Sequence, residues 1–195
     1  MVTPARPAAV KVVVRTEALM RRDALSGEDR ARAAEVIAAR GFPLSVGGQR
    51  VSGFMPIRTE INPLPLMRRG AEEGASLALP IIRGRGQPLD MHEWSLDAPL
   101  EKRQWGIREP AFDSKVVYPD IVLTPLAAFD RRGYRIGYGA GYFDMTLNEL
   151  RARKSVIAIG LAFACQEVET VPIEPHDARL DFVLTERDVI DCREA

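Results

Sequence analysis

The chain has 195 residues, 46% apolar and 28% charged, with 27 basic side chains against 27 acidic ones. A formal charge of zero speaks against nucleic acid or an anionic membrane surface as a general partner, because both are held by excess basic charge. The apolar share excludes a disordered chain, and the length suits one domain with a full core.

The basic residues divide into 23 arginines and 4 lysines, a bias that fits genomic base composition better than a recognition surface. Val156 to Cys165 is the longest apolar run, well short of the ~20 residues a spanning helix needs. Met1 to Arg15 holds scattered Pro and Ala and no apolar stretch of signal-peptide length. Residues 1–9 are expected to be a flexible leader to a single domain covering 1–195. Cys165 and Cys192 form no CxxC spacing, so neither a redox motif nor a thiolate metal site is indicated. Free thiols fit a reducing compartment, and a cytoplasmic location is expected.

In chain order, Lys11 to Leu25 predicts a helix, although Val12-Val13-Val14 is β-branched. Ser26-Gly-Glu-Asp29 resembles a capping box that opens a second helix, and Gly41 is a suitable stop. Arg50 to Met55 reads as a short strand. Asn62 as cap and Pro63 in the first turn predict a helix to about Glu73. Ser76 to Ile82 is an apolar strand. Residues 83–119 are rich in Gly and Pro; one strand near Leu89 to Trp94 is expected there, with irregular structure after it. Asp120 to Pro125, Ser155 to Leu161 and Leu180 to Thr185 read as buried strands, with a helix over Asp144 to Arg153. Apolar strands alternating with amphipathic helices predict an α/β fold: three layers, a mostly parallel open sheet flanked by helices on both faces, Rossmann-like.

The informative segment is Asp130-Arg-Arg-Gly-Tyr-Arg-Ile-Gly-Tyr-Gly-Ala-Gly-Tyr-Phe-Asp144. It follows a buried strand and leads into a helix, the place where open parallel sheets bind ligands. Gly137, Gly139 and Gly141 let backbone N–H groups approach an anion, and the next helix turns its positive end toward it. Arg135 can make a bidentate contact to phosphate. Asp144 can take magnesium, which uses one or two carboxylates plus substrate phosphates, or it can cap the helix. The segment is neither a Walker A loop nor a dinucleotide fingerprint.

Pro125 to Asp130 followed by Gly133 to Asp144 resembles the signature of the 5-formyltetrahydrofolate cyclo-ligase family, also called 5,10-methenyltetrahydrofolate synthetases. Ala162-Phe163, Gln166, Val171-Pro172, Glu174, His176-Asp177 and Leu184-Thr185 extend the likeness. Phe54, Glu60-Ile61, Leu79-Pro80, Met91, Trp105 to Pro110, Lys11, Arg15 and Arg22 to Ser26 carry it upstream, so that it spans about residues 11–187.

The resemblance implies a ligase that uses ATP and magnesium to convert 5-formyltetrahydrofolate into 5,10-methenyltetrahydrofolate, with ADP and phosphate released. It places ATP on Lys11, Arg15, Arg135, Ile136, Gly137, Tyr138, Gly139, Ala140, Gly141, Tyr142 and Phe143. Arg135 and Asp144 take catalytic roles, and Asp144 and Asp177 hold the metal. The folate falls to Phe54, Met55, Glu60, Met91, Trp105 and Tyr142, with the Glu60 carboxylate on the amino-pyrimidinone edge. His176 receives no chemical role. A monomer is expected.

Three positions depart from the family pattern. Ala140 stands where many relatives have Lys or Gly, Tyr138 where some have Arg, and Phe143 where Tyr is frequent. A charge missing at Ala140 would have to come from elsewhere, such as Arg131 or Arg132. Two other readings stay open. One is a folate- or nucleotide-binding module without turnover, suggested by Ala140. The other is a phosphosugar isomerase or transferase on a similar framework, suggested by the glycine loop alone.

Overall fold

The structure is a computed structural model that describes residues 7–103 and 106–194. Of the expected leader, residues 1–6 lie outside the described residues, and Pro7 to Ala9 already belong to the first helix. That helix, α1, covers Pro7–Asp23, and α2 covers Gly27–Arg40. Ser26 is the N-cap of α2: its hydroxyl accepts the Asp29 N–H at 3.0 Å. Glu28 and Asp29 lie at the positive end of the helix dipole, and Gly41 ends the helix at φ 83°.

Next come β1 (Arg50–Ser52), α3 (Leu64–Glu72), β2 (Ser76–Ile81) and β3 (Asp90–Glu93). The N-cap of α3 is Pro63 rather than Asn62. The Asn62 amide oxygen accepts the Leu64 N–H at 3.1 Å, a turn just outside the helix. Two-residue strands β4 (Glu101–Lys102) and β5 (Arg108–Glu109) pair antiparallel within the segment expected to be irregular.

The second half holds β6 (Ile121–Pro125), the hairpin of β7 (Ala128–Phe129) and β8 (Arg135–Ile136), α4 (Tyr142–Arg153), β9 (Ile157–Leu161), β10 (Phe182–Leu184) and β11 (Val189–Asp191). Seven strands form the central sheet in the order β11-β10-β9-β6-β1-β2-β3. The inner five run parallel, and β3 and β11 are antiparallel edges.

Alternation along the strands builds two cores. Leu77, Leu79, Ile121, Leu123, Ile159 and Leu161 point to one face, which α2 covers with Ile37 and α3 with Leu66 and Met67. Ala78, Val122, Ala158 and Val183 point to the other, which α4 covers with Leu147 and Leu150. Burying each large apolar side chain contributes about 1.5–3 kcal/mol relative to exposure. Gly160 in β9 has no room for a side chain: a Cβ there would stand 2.7 Å from Leu180 and 2.9 Å from Leu126.

The first helix covers neither face. It packs on the β7–β8 hairpin and on a 3-10 turn at Ala164–Gln166. Ala18 meets Ala128, Ile136 and Val171, and the Arg21 Nε donates to the Cys165 carbonyl at 2.7 Å. Both supports follow the carboxyl ends of parallel strands, β6 and β9. The helix therefore roofs the loop layer where a ligand is expected.

Candidate active site

A cavity of about 360 Å3 opens at the carboxyl ends of β1, β2 and β6. That is within the size range of small-molecule sites. Phe54, Met55 and Glu60 enter it from the loop after β1, and Pro80 and Ile82 from the end of β2. The loop from Gly137 into the first turn of α4 supplies another wall. Its bend depends on Gly139 at φ 103° and Gly141 at φ 68°. Gly141 is the N-cap of α4 and has no side chain to cap the first turn. The free N–H groups of that turn are therefore available to an anion.

Arg135 and Asp144 stand at the base of this wall. Arg135 is 5% exposed. Its guanidinium pairs with the Asp144 carboxylate at 2.9 Å and donates to the Ala178 carbonyl at 2.6 Å. Burial lowers its pKa, and the charge and hydrogen bond of Asp144 act against that fall. The same Asp144 carboxylate accepts the Ala178 N–H at 3.0 Å.

Burial also governs Glu60. It pushes the carboxyl above the ordinary glutamate value, and the Ile57 N–H, the Tyr138 hydroxyl and the Arg22 charge oppose it in turn. The Ile57 N–H bond is 2.8 Å.

Lys11 and Arg15, one turn apart on α1, reach the loop layer at different points. The Lys11 ammonium donates to Glu174 at 2.8 Å and to Asp177 at 2.5 Å. Burial would lower its pKa, but its hydrogen bonds to Asp177 and Glu174, with their charges, outweigh it and the net shift is upward. The Arg15 Nε donates to the Gly137 carbonyl at 2.7 Å.

Glu174, His176 and Asp177 bring one ligand atom each to within 4.8 Å of one another, a grouping able to hold a metal ion. Among the expected residues, Asp177 therefore belongs with Glu174 and His176, and Asp144 sits with Arg135. The charges of both acids act to raise the pKa of Arg135 against its burial.

Several expected residues lie elsewhere. Ile136 is 1% exposed and faces the small core under α1. Gly139 shapes the loop but does not line the cavity. Met91 is 2% exposed and borders a separate void of about 20 Å3 beside α4, because its neighbours on that face are Val117 and Leu150. Trp105 lies outside the described residues. Arg131 and Arg132 are not replacements for a charge at Ala140: Arg131 pairs with Glu167 and Asp188, and Arg132 with the buried Asp130.

The residue signals had not assigned a role to Glu109 or Arg22. Glu109 lines the cavity and is 2% exposed; burial raises its pKa against the Ile82 N–H, which it accepts at 3.2 Å. Its position in Arg108-Glu-Pro110, between two charged-or-rigid neighbours, carries no periodic signal that marks it as buried. Arg22 is one of four basic residues on α1, most of whose other positions are open to water, so its burial was invisible to pattern.

The family model for the 5-formyltetrahydrofolate cyclo-ligase family matches residues 7–186. The chain belongs to that family, and with it to the ligases. It is 33% identical over 164 residues to the 5-formyltetrahydrofolate cyclo-ligase of Mycolicibacterium smegmatis, 79% of this chain and 83% of that one. It is 32% identical over 175 residues to the Escherichia coli K12 enzyme, 85% of this chain and 94% of that one. The NMR structure of Aquifex aeolicus 5,10-methenyltetrahydrofolate synthetase superposes with a TM-score of 0.78 at 28% identity, over 95% of this chain and 94% of that one. The three-layer parallel architecture of the cyclo-ligase family is thus the one described above.

Proposed function

We propose that this cyclo-ligase family member converts 5-formyltetrahydrofolate into 5,10-methenyltetrahydrofolate, with ATP and magnesium consumed or used as the resemblance implies. The observation that supports this most is the convergence of Glu60, Arg135, Asp144 and the 137–143 loop on one cavity. An amide oxygen is a poor leaving group, and phosphorylation makes it a good one. The formyl oxygen bonds to the γ-phosphorus and ADP departs. N10 then bonds to the formyl carbon and loses its proton, the carbon–oxygen bond breaks, and phosphate leaves.

In this reading the chain contributes position and charge rather than covalent chemistry. The exposed N–H groups of the loop and of the α4 N-terminus hold phosphate oxygens. Arg135, fixed by Asp144 and Ala178, adds positive charge at the base of the loop. Lys11 and Arg15 bring further cations from α1. Phe54, Met55 and Tyr142 form walls for flat rings, and Glu60 accepts the paired donors of the pyrimidinone edge. The hard oxygen donors of Asp144, Asp177 and Glu174 fit magnesium, which when bound neutralises phosphate charge. In the phosphosugar reading Glu60, which lines the same cavity, has no evident purpose. We further place the enzyme in the cytoplasm as a monomer. Cys165 and Cys192 are both free thiols, as a reducing compartment would keep them.

Incubating the protein with 5-formyltetrahydrofolate, ATP and magnesium should produce the near-ultraviolet absorbance of the methenyl product, with equimolar ADP. Ligand binding by calorimetry without ADP release would support instead the binding module suggested by Ala140, which lines the cavity and brings no charge. Neither binding nor product from folded protein would overturn both.

A further inference from the structure

Two residues that the reaction above does not use are built against Glu60. Arg22, on α1, is 3% exposed. Its Nε donates to the Thr59 hydroxyl at 3.0 Å, and Nη1 donates to the Tyr138 hydroxyl. Its guanidinium carbon lies 5.7 Å from the centre of the Tyr138 ring. The Tyr138 residue is 40% exposed, yet its hydroxyl end is turned inward, and both it and Glu60 line the cavity. A hydroxyl has one proton and two acceptor positions. It accepts from Arg22, which leaves its own proton to act on the Glu60 carboxyl, whose ionised form the Tyr138 hydroxyl favours. Thr59 in turn donates to Asp23, which lies 3.6 Å from Arg22.

The path Arg22–Tyr138–Glu60 joins three segments distant in sequence: α1, the glycine loop and the loop after β1. An ionised carboxylate has about four acceptor positions. The Ile57 N–H takes one, and the Tyr138 hydroxyl is the group set to take a second. We propose that Arg22 and Tyr138 are positioning residues that fix the Glu60 carboxylate, so that its remaining acceptor positions face the cavity for the adjacent N–H donors of a pterin-type ring. This rests on the reading of Glu60 as the folate-binding carboxylate. It also assigns the Tyr138 side chain to the folate end of the site, leaving only its backbone to the nucleotide loop.

Steady-state kinetics on the full chain test it, with the two substrates varied separately. Tyr138→Phe and Arg22→Met should each raise KM for 5-formyltetrahydrofolate about five- to twentyfold, the scale of one buried hydrogen bond. KM for ATP should stay within about twofold, since neither side chain is placed on phosphate. The double variant should be little worse than the poorer single one, because both changes cut one path.

Glu60→Gln separates the proposal from the reading beneath it. If Glu60→Gln leaves KM for the folate unchanged, the reading of Glu60 is wrong and the proposal falls with it. If Glu60→Gln raises that KM while Tyr138→Phe and Arg22→Met do not, the reading stands and the positioning role is overturned. A rise in KM for ATP with Tyr138→Phe would place the hydroxyl in the nucleotide site and overturn it equally. Should Arg22→Met fail to fold, Tyr138→Phe decides alone, since it removes one oxygen from a half-exposed side chain.

Discussion

Asp144 does two things that different substitutions separate. It balances the buried Arg135 guanidinium, and it receives the Ala178 N–H. Asp144→Ala removes both and strands a charge in the interior, which should cost about 3–5 kcal/mol in urea unfolding. Asp144→Asn keeps an acceptor for Ala178 and should cost less. ATP turnover should fall at least about tenfold in both, on the scale of a lost charge contact; unchanged turnover in a folded variant would remove Asp144 from the metal site.

Glu60 makes a prediction about acid. Its folded pKa is raised, chiefly by burial, so its ionised form is lost at a higher pH than the ~4.3 of free glutamate. The acid limb of kcat/KM for the folate should therefore sit above that value, and Glu60→Gln should flatten it. The sign for stability is the reverse of a paired carboxylate. A raised folded pKa stabilises the fold below the unfolded value, and that contribution is lost as pH rises through the folded one. At this scale the family motif drew attention to Arg135, Asp144 and Lys11, while the partners that hold them, Ala178 and Glu174, came from the fold. Glu109 and Arg22 were not legible, because burial of a lone charge depends on which distant loop closes over it.

Among the elements, those of ordinary length were legible and the shortest were not. Ser26 and Gly41 marked the ends of α2 through their own chemistry. The strands from Ile121 and Ile157 announced themselves as apolar runs. β4, β5, β7 and β8 have two residues each, less than one period of the alternation that identifies a strand. β11 hides behind Glu186-Arg-Asp188, whose charges mask a turn: Thr185 and Asp188 hydrogen-bond across it. The cap of α3 moved to Pro63 because proline already supplies a helical φ of −78° there. Gly160 offers a test of how tightly β9 is held. Gly160→Ala must displace Leu180 or Leu126 and should lower stability by about 1–3 kcal/mol, read as a drop in Tm with the ligand sites untouched.

On the scale of the molecule, the order of helices and strands was enough to predict the sheet, and it pointed to the strands' carboxyl ends as the place for a ligand. The cavity does lie at the carboxyl ends of β1, β2 and β6. The placement of α1 was not legible. The sequence predicted a helix over Lys11 to Leu25 without saying where it packs, and its inward side proves largely polar and meets loops. Lys11 reaches Glu174 and Asp177, Arg15 reaches Gly137 and Arg22 reaches Tyr138. No local pattern encodes partners so far along the chain.

Those separations, 163 and 166 residues for Lys11, set a clock on the protein's assembly. At about 5–20 residues per second on the ribosome, α1 waits roughly 8–33 s after its own synthesis before Asp177 exists. Contacts this remote also form late in refolding, since a long loop must close before they contribute. Refolding followed by far-ultraviolet circular dichroism should therefore run ahead of the return of activity; coincident traces would show that α1 docks with the sheet rather than after it. A helix that waits with arginines and lysine on its inward side remains compatible with water in the meantime. The polar character of that side, which cements the roof of the site in the finished fold, is also what lets the first-made helix stay unpaired without drawing other chains to itself.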